Sequence, residues 1–165
     1  MAFRYSQVGT AFVSNSAAET SILKVAQVYE ANTMDQGQTI RVQAKGTYNT
    51  KASAPGTLTL QLKFGNAAAT SGARTLTAAI TSLAWDLDAH IIIASPAGPS
   101  SSATIQGYAR FSTSATAVET WTLSIGASLD TTSNMSLDLT AQFSVADVNN
   151  LIQTNTFLIE DTANP

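Results

Sequence analysis

Thr57-Leu58-Thr59-Leu60-Gln61-Leu62-Lys63-Phe64 decides the fold class of this chain. Leucine or phenylalanine stands at every second position, and Thr, Thr, Gln and Lys fill the places between. Successive side chains of a strand point to opposite faces, so this spacing collects the apolar groups on one face and the polar groups on the other. A helix would scatter the same residues around its circumference. The stretch therefore reads as a strand with one face buried.

The same period of two extends in both directions. Upstream, Ile40, Val42 and Ala44 alternate with Thr39, Arg41, Gln43 and Lys45. Before them, Ile22, Lys24, Ala26 and Val28 alternate with Leu23, Val25, Gln27 and Tyr29. Downstream, Trp85, Leu87, Ala89, Ile91 and Ile93 share one face, with Asp86, Asp88 and His90 on the other. Strands are also expected over 103–111, 120–125, 137–143 and 155–159, and a short one over 8–13, about nine in all. Turn chemistry separates them at 52–56, 65–66, 95–102 and 130–134, which are rich in Gly, Pro, Asn, Asp and Ser. Residues 67–83, rich in Ala and Thr, read as a long loop or a weak strand. Gly46, Gly56 and Gly65 are expected at strand ends, and Trp85 over one end of the core. No stretch has a sustained helical period with caps. The expectation is all-β: an antiparallel β-sandwich, jelly-roll-like, of about nine strands. Residues 1–20 form an N-terminal arm or first strand, and 21–165 a single sandwich domain.

Composition agrees. Leu, Ile, Val, Phe and Met supply 40 of the 165 residues, enough for one core. Charged residues are only 12 %, and 23 Thr, 18 Ser and 27 Ala take their place. Thr suits a pleated, half-exposed surface, and Ser and Thr keep it wet without charge. Such a surface fits a protein that lies against copies of itself. Seven of the eight basic groups and three of the eleven acids fall in residues 1–85, leaving +4 there and −7 in 86–165. Either the strands interleave and the asymmetry vanishes in space, or a positive patch meets a neighbour's negative one. The basic residues are scattered, which argues against nucleic acid as a partner. No apolar run approaches the roughly 20 residues of a membrane span, and the N-terminus lacks an apolar signal region.

The chemistry-bearing residues are few. There is no cysteine and one histidine, His90. Asp86, Asp88 and His90 share a strand face, but alternate residues stand about 7 Å apart, too far for one metal ion without a bend or further ligands. The plain reading of this row is a solvated face or a polar subunit contact. The two aspartates are equally unpromising as a glycosidase pair without a sugar cleft. Ser21-Ile22-Leu23-Lys24 matches Ser-x-x-Lys but lies in a strand pattern, without the companion motifs of the β-lactamase mechanism. Asn134-Met135-Ser136 fits a glycosylation sequon and stands alone. No catalytic, cofactor-binding or metal residue is assigned, and no cofactor is expected.

A wider pattern runs from about Ala31 to Glu160. It comprises Ala31-Asn32-Thr33-Met34, Gly37-Gln38-Thr39-Ile40-Arg41-Val42, Ala44-Lys45-Gly46-Thr47-Tyr48-Asn49-Thr50 and Pro55-Gly56-Thr57-Leu58-Thr59-Leu60. Leu62-Lys63-Phe64-Gly65, Trp85-Asp86-Leu87-Asp88-Ala89, Leu139-Thr140-Ala141-Gln142-Phe143-Ser144, Asn150-Leu151-Ile152 and Phe157-Leu158-Ile159-Glu160 complete it. In order and spacing these resemble the small virion-associated structural proteins of tailed bacteriophages. Ile91-Ile92-Ile93 departs from the more polar strand usual there. The resemblance implies a jelly-roll-like domain, often homotrimeric, on the outer surface of a particle and made in the host cytoplasm, without enzyme activity. Its partners would be itself and the major capsid protein or another virion protein.

Two functions follow from that resemblance: a decoration or cement protein on the outside of the head, or a tail-tip or fibre domain binding a host receptor or glycan. The loop at 97–102 carries no aromatic residue, which favours cement. Residues 1–20 hold few apolar groups for a terminal strand, and free termini stay loose unless tied down. Phe3, Tyr5 and Phe12 are the candidate attachment residues of an arm that docks on a neighbour; the alternative is a first strand paired within its own chain.

Overall fold

The computed structural model describes residues 2–162, with side chains from Tyr5 to Asp161. Among these residues the chain forms strands, turns and bends and no helix. Twelve strands run in order: β1 Ala2–Ser14, β2 Thr20–Ser21, β3 Gln27–Tyr29, β4 Thr39–Asn49, β5 Thr57–Phe64, β6 Ala67–Thr70, β7 Arg74–Thr75, β8 Leu83–Ile93, β9 Ser101–Ser112, β10 Val118–Leu129, β11 Met135–Phe143 and β12 Leu151–Thr162. They make two antiparallel sheets facing one another, a β-sandwich. The first sheet has the order β1-β12-β4-β8-β9-β10, and the second β2-β11-β5-β6, with β3 on β11 and β7 on β5.

Alternation sets which side chains enter the core. Along β5, Leu58, Leu60, Leu62 and Phe64 are fully buried, and the residues between them are half-buried. Along β8, Trp85, Leu87, Ala89, Ile91 and Ile93 point inward. The facing sheet contributes Leu137, Leu139, Ala141 and Phe143 from β11. Each fully buried Leu or Phe stabilises the fold by about 1.5–3 kcal/mol relative to exposure, so these rows hold the sheets face to face.

The strand count exceeds the expected nine, for local reasons. Of the strand expected at 22–29 only Gln27–Tyr29 forms, as β3, and β2 ends just before it at Ser21. Ser21 Oγ accepts the Leu23 N–H at 3.2 Å, a side-chain turn that competes with the ladder. Ile22 and Leu23 are consequently both buried and Lys24 and Val25 both exposed, so the alternation fails there. Residues 67–83 contain two short strands, β6 and β7, which pair in succession along the edge of β5 that β11 leaves free.

Gly46 also departs from expectation. It lies inside β4 rather than at a strand end. A bulge at Asn155 in β12, between Thr154 and Thr156, pushes the chain toward β4 at this level. A Cβ on residue 46 would stand 1.8 Å from the Gln153 carbonyl oxygen and 2.8 Å from Trp85 Nε1. Only glycine admits that approach, and Trp85 Nε1 donates to the same carbonyl at 3.0 Å. Trp85 stacks on Phe111 (5.9 Å between ring centres, 14° between planes), and Phe111 stacks on Trp121 at 4.0 Å. Tyr48 meets Phe111 edge-on at 5.1 Å. This aromatic group ties β4, β8, β9 and β10 together at one end of the core.

Candidate functional surface

The outer face of the six-stranded sheet collects most of the residues that the sequence offers for chemistry. The register places Arg41 opposite His90, Gln43 opposite Asp88 and Lys45 opposite Asp86. On the other side of β8, Gln106, Tyr108 and Arg110 face His90, Asp88 and Asp86 in turn. Each aspartate receives an arginine. Arg41 donates from Nε (3.1 Å) and Nη2 (2.6 Å) to the two oxygens of Asp88, and Gln43 Nε2 adds a third bond at 3.2 Å. Arg41 Nη1 also lies 3.5 Å from Glu160 on β12. Arg110 grips Asp86 from Nε and Nη2, the latter at 2.7 Å, and its guanidinium lies 5.4 Å from the centre of the Tyr108 ring.

These are two-pronged, charge-assisted pairs with fixed geometry. Hydrogen bonding from Arg41 holds the Asp88 carboxyl below the ordinary carboxylate range, and the same contact raises the Arg41 guanidinium. An acid so paired is an acceptor and a poor proton donor at neutral pH. Asp86 and Asp88 therefore anchor cross-strand ion pairs, while His90 stays exposed on the same face. Among the described residues no group of three His, Cys, Asp or Glu side chains could hold a metal ion.

The other sequence candidates separate in space. Ser21 Oγ donates to Asp138 at 2.6 Å, whereas Lys24 Nζ donates to the Val8 carbonyl at 3.3 Å, so Ser21 and Lys24 do not act on one another's atoms in these contacts. The Asn134 carboxamide accepts the Ala31 N–H at 3.0 Å. The ion pairs Arg41–Asp88, Arg41–Glu160 and Lys51–Asp147 each join the basic first half of the chain to the acidic second half. Interleaving of the strands thus neutralises part of the asymmetry seen along the sequence, while Lys63–Glu19 and Arg110–Asp86 each pair within one half.

β1 lies along β12 as an edge strand of its own domain. Tyr5 packs against Phe157, with ring centres 6.4 Å apart, and so serves its own core. Phe12 is 61 % exposed. The Phe3 side chain lies outside the described residues. No family model matches the chain, and no curated protein or solved structure is significantly similar to it.

The surface also carries depressions away from the outer face of the six-stranded sheet. One, of about 410 Å³, lies among Asn49, Thr50, Ala79, Ile80, Val148 and Asn149, and no titratable side chain lines it. Another, of about 420 Å³, is lined by Gly65, Asn66, Asp130, Ser133, Asn134 and Met135. Its one carboxylate, Asp130, is held below the usual range by the hydroxyl and backbone N–H of Thr132. The sequence signalled neither depression, because both form where loops distant in the chain converge.

Proposed function

We propose that this chain is a non-enzymatic structural protein of a bacteriophage particle, a jelly-roll homotrimer that decorates the outside of the head. The observation that carries the reading is the nesting of the strands. β1 lies beside β12, β2 and β3 beside β11, β4 beside β12, and β5 beside β11. The orders β1-β12-β4-β8 and β2-β11-β5-β6 are those of a long folded hairpin rolled into two four-stranded sheets, and the β9–β10 hairpin widens the first. Jelly rolls recur in viral capsid proteins and in lectins. The fold alone does not choose between those uses.

The surface supports the structural use. Its acids are matched by arginines on a broad sheet face, and no aromatic residue stands in the 97–102 loop to stack on a sugar. A cement protein needs broad faces whose charges are balanced within the face, as the arginine–aspartate pairs balance them here.

Copy number tests the proposal. Purified particles analysed by quantitative gel should carry hundreds of copies each. Tens of copies or fewer would overturn the cement reading in favour of a tail-tip or fibre domain that binds a host receptor or glycan. Absence from purified particles would overturn both.

A further inference from the structure

The six-stranded sheet ends at β1 on one side and β10 on the other, each with a ladder neighbour on one side only among the described residues. Every neighbouring pair in this sheet is antiparallel. With six strands, the two edges therefore run in opposite directions. If the β10 edge of one copy lies along the β1 edge of the next, the new pair is antiparallel too, and the ladder continues in its own sense.

The two edges also match level by level. Val8 is linked through Thr156, Lys45, Asp86 and Arg110 to Thr120, and Ser6 through Leu158, Gln43, Asp88 and Tyr108 to Thr122. One level further, Phe12 is linked through Gln153 and Thr47 to Ala84, while Val118 pairs with Ser112 next to the Trp85–Phe111 pair. Phe12 and Val118 thus stand at the same level on the outer face, at opposite edges, and each is 61 % exposed.

On β1 Tyr5 and Val13 pack toward the core, but two apolar side chains do not. Gln7 is buried, while Val8 (81 % exposed) and Phe12 face outward. Exposed edges are normally blunted by charge or proline. Neither occurs from Tyr5 to Ser14 on β1, where a bulge lies between Val8 and Ala11, and on β10 the one charge is Glu119 beside Val118. Each edge is covered in part: β6 of the second sheet lies against β10, where Asn66 Nδ2 donates to the Ser128 carbonyl, and on β1 Lys24 Nζ donates to the Val8 carbonyl; the Phe12 and Val118 side chains stay exposed. A strand of 13 residues runs about 43 Å at roughly 3.3 Å per residue. Strand addition along such an edge would join main-chain hydrogen bonds to the apolar contact of Phe12 with Val118.

We infer that copies of this chain associate head to tail, with the β10 edge of one copy on the β1 edge of the next and Phe12 packed beside Val118. This rests on the homotrimer reading above and names its contact. A head-to-tail contact between unlike patches closes into a ring when the rotation per copy allows, here at three.

The chain has no cysteine, which makes disulfide trapping clean. Phe12→Cys and Val118→Cys are made singly and together, and thermal melts check that each folds. Light scattering on the unmodified protein gives the oligomeric state. Oxidation should cross-link the double variant into trimers and the mixed single variants into dimers, with little product from either single variant alone. Phe12→Lys should weaken self-association at least ~10-fold by placing an unpaired charge at the contact. Efficient dimers from Phe12→Cys alone would mean that β1 meets β1 across a two-fold axis, and would overturn the inference. An oligomer by scattering that the double variant fails to cross-link would overturn the edge contact and leave the oligomer reading standing. A monomer without cross-links would overturn both.

Discussion

Replacing Gly46 with alanine adds one methyl group at the point where three strands press closest. That methyl would begin 1.8 Å from the Gln153 carbonyl oxygen and 2.8 Å from Trp85 Nε1. Both obstacles are held: the first is backbone, and the second belongs to an indole stacked on Phe111. Relief requires β12 to move away from β4, which separates Trp85 Nε1 from the carbonyl it meets at 3.0 Å. Overpacking a core costs about 1–3 kcal/mol, and stranding a buried indole N–H about 1–3 kcal/mol more. The expected loss is therefore roughly 4 kcal/mol. At about 3 °C per kcal/mol for a domain of this size, the melting temperature should fall by on the order of 10 °C. Thermal melts followed by far-ultraviolet circular dichroism and by tryptophan fluorescence measure the loss. In a Trp85→Phe background the additional cost of Gly46→Ala should shrink, because no indole donor remains to be stranded. A melting temperature for Gly46→Ala within about 2 °C of the parent would refute the account of this contact.

A second close approach is held by backbone. Gly107→Ala would place its Cβ 2.4 Å from the Ala89 Cβ and 2.6 Å from the Asp88 carbonyl oxygen and the Ala89 Cα, so it should destabilise by about 1–3 kcal/mol, and Ala89→Gly in the same chain should recover little of the loss in urea titrations because the backbone contacts remain. Burial raises the Tyr48 phenol to about 12, and its hydroxyl donates to the Ser112 carbonyl at 2.8 Å. Its unfolded value is near 10, so the neutral form is favoured by folding; the contribution is complete below about pH 10 and is lost as pH rises toward 12. Phenolate absorbance on an alkaline titration should show a late-titrating component that loses one tyrosine's amplitude in Tyr48→Phe. Asp88, Glu19 and Asp147 are all held below the ordinary carboxylate range, mainly by hydrogen bonds from Arg41, from Lys63 and from the backbone N–H of Asn149 respectively. Their contribution is present above the unfolded carboxylate values near 4 and fades as pH falls through the lower folded ones. Asp88→Asn should therefore flatten the acid limb of a melting-temperature profile, and an unchanged limb would argue against the Arg41 pair. Asp86→Ala and Asp88→Ala should remove no hydrolytic activity toward polysaccharides, peptidoglycan or esters; a genuine activity lost on either change would argue for an enzyme.

The sequence by itself determined the fold class and the inward face of the main strands. Alternation at Leu58 to Phe64 and at Trp85 to Ile93 suffices, because side-chain direction in a strand has a period of two whatever lies beside it. It was silent where side chains carry little contrast, as at Ala67–Thr70, and misleading at 22–29, where the Ser21 hydroxyl diverts the backbone. Tertiary structure alone decided which strands became neighbours. β1 joins β12 across nearly the whole chain, Arg41 finds Asp88 and Glu160, and Gly46 becomes indispensable only because a bulge in β12 drives a carbonyl toward it. The reason is that every strand offers the same backbone donors and acceptors, so the ladder cannot tell one partner from another. The choice falls to the way whole apolar faces and bulges fit together, which is not written in any single stretch.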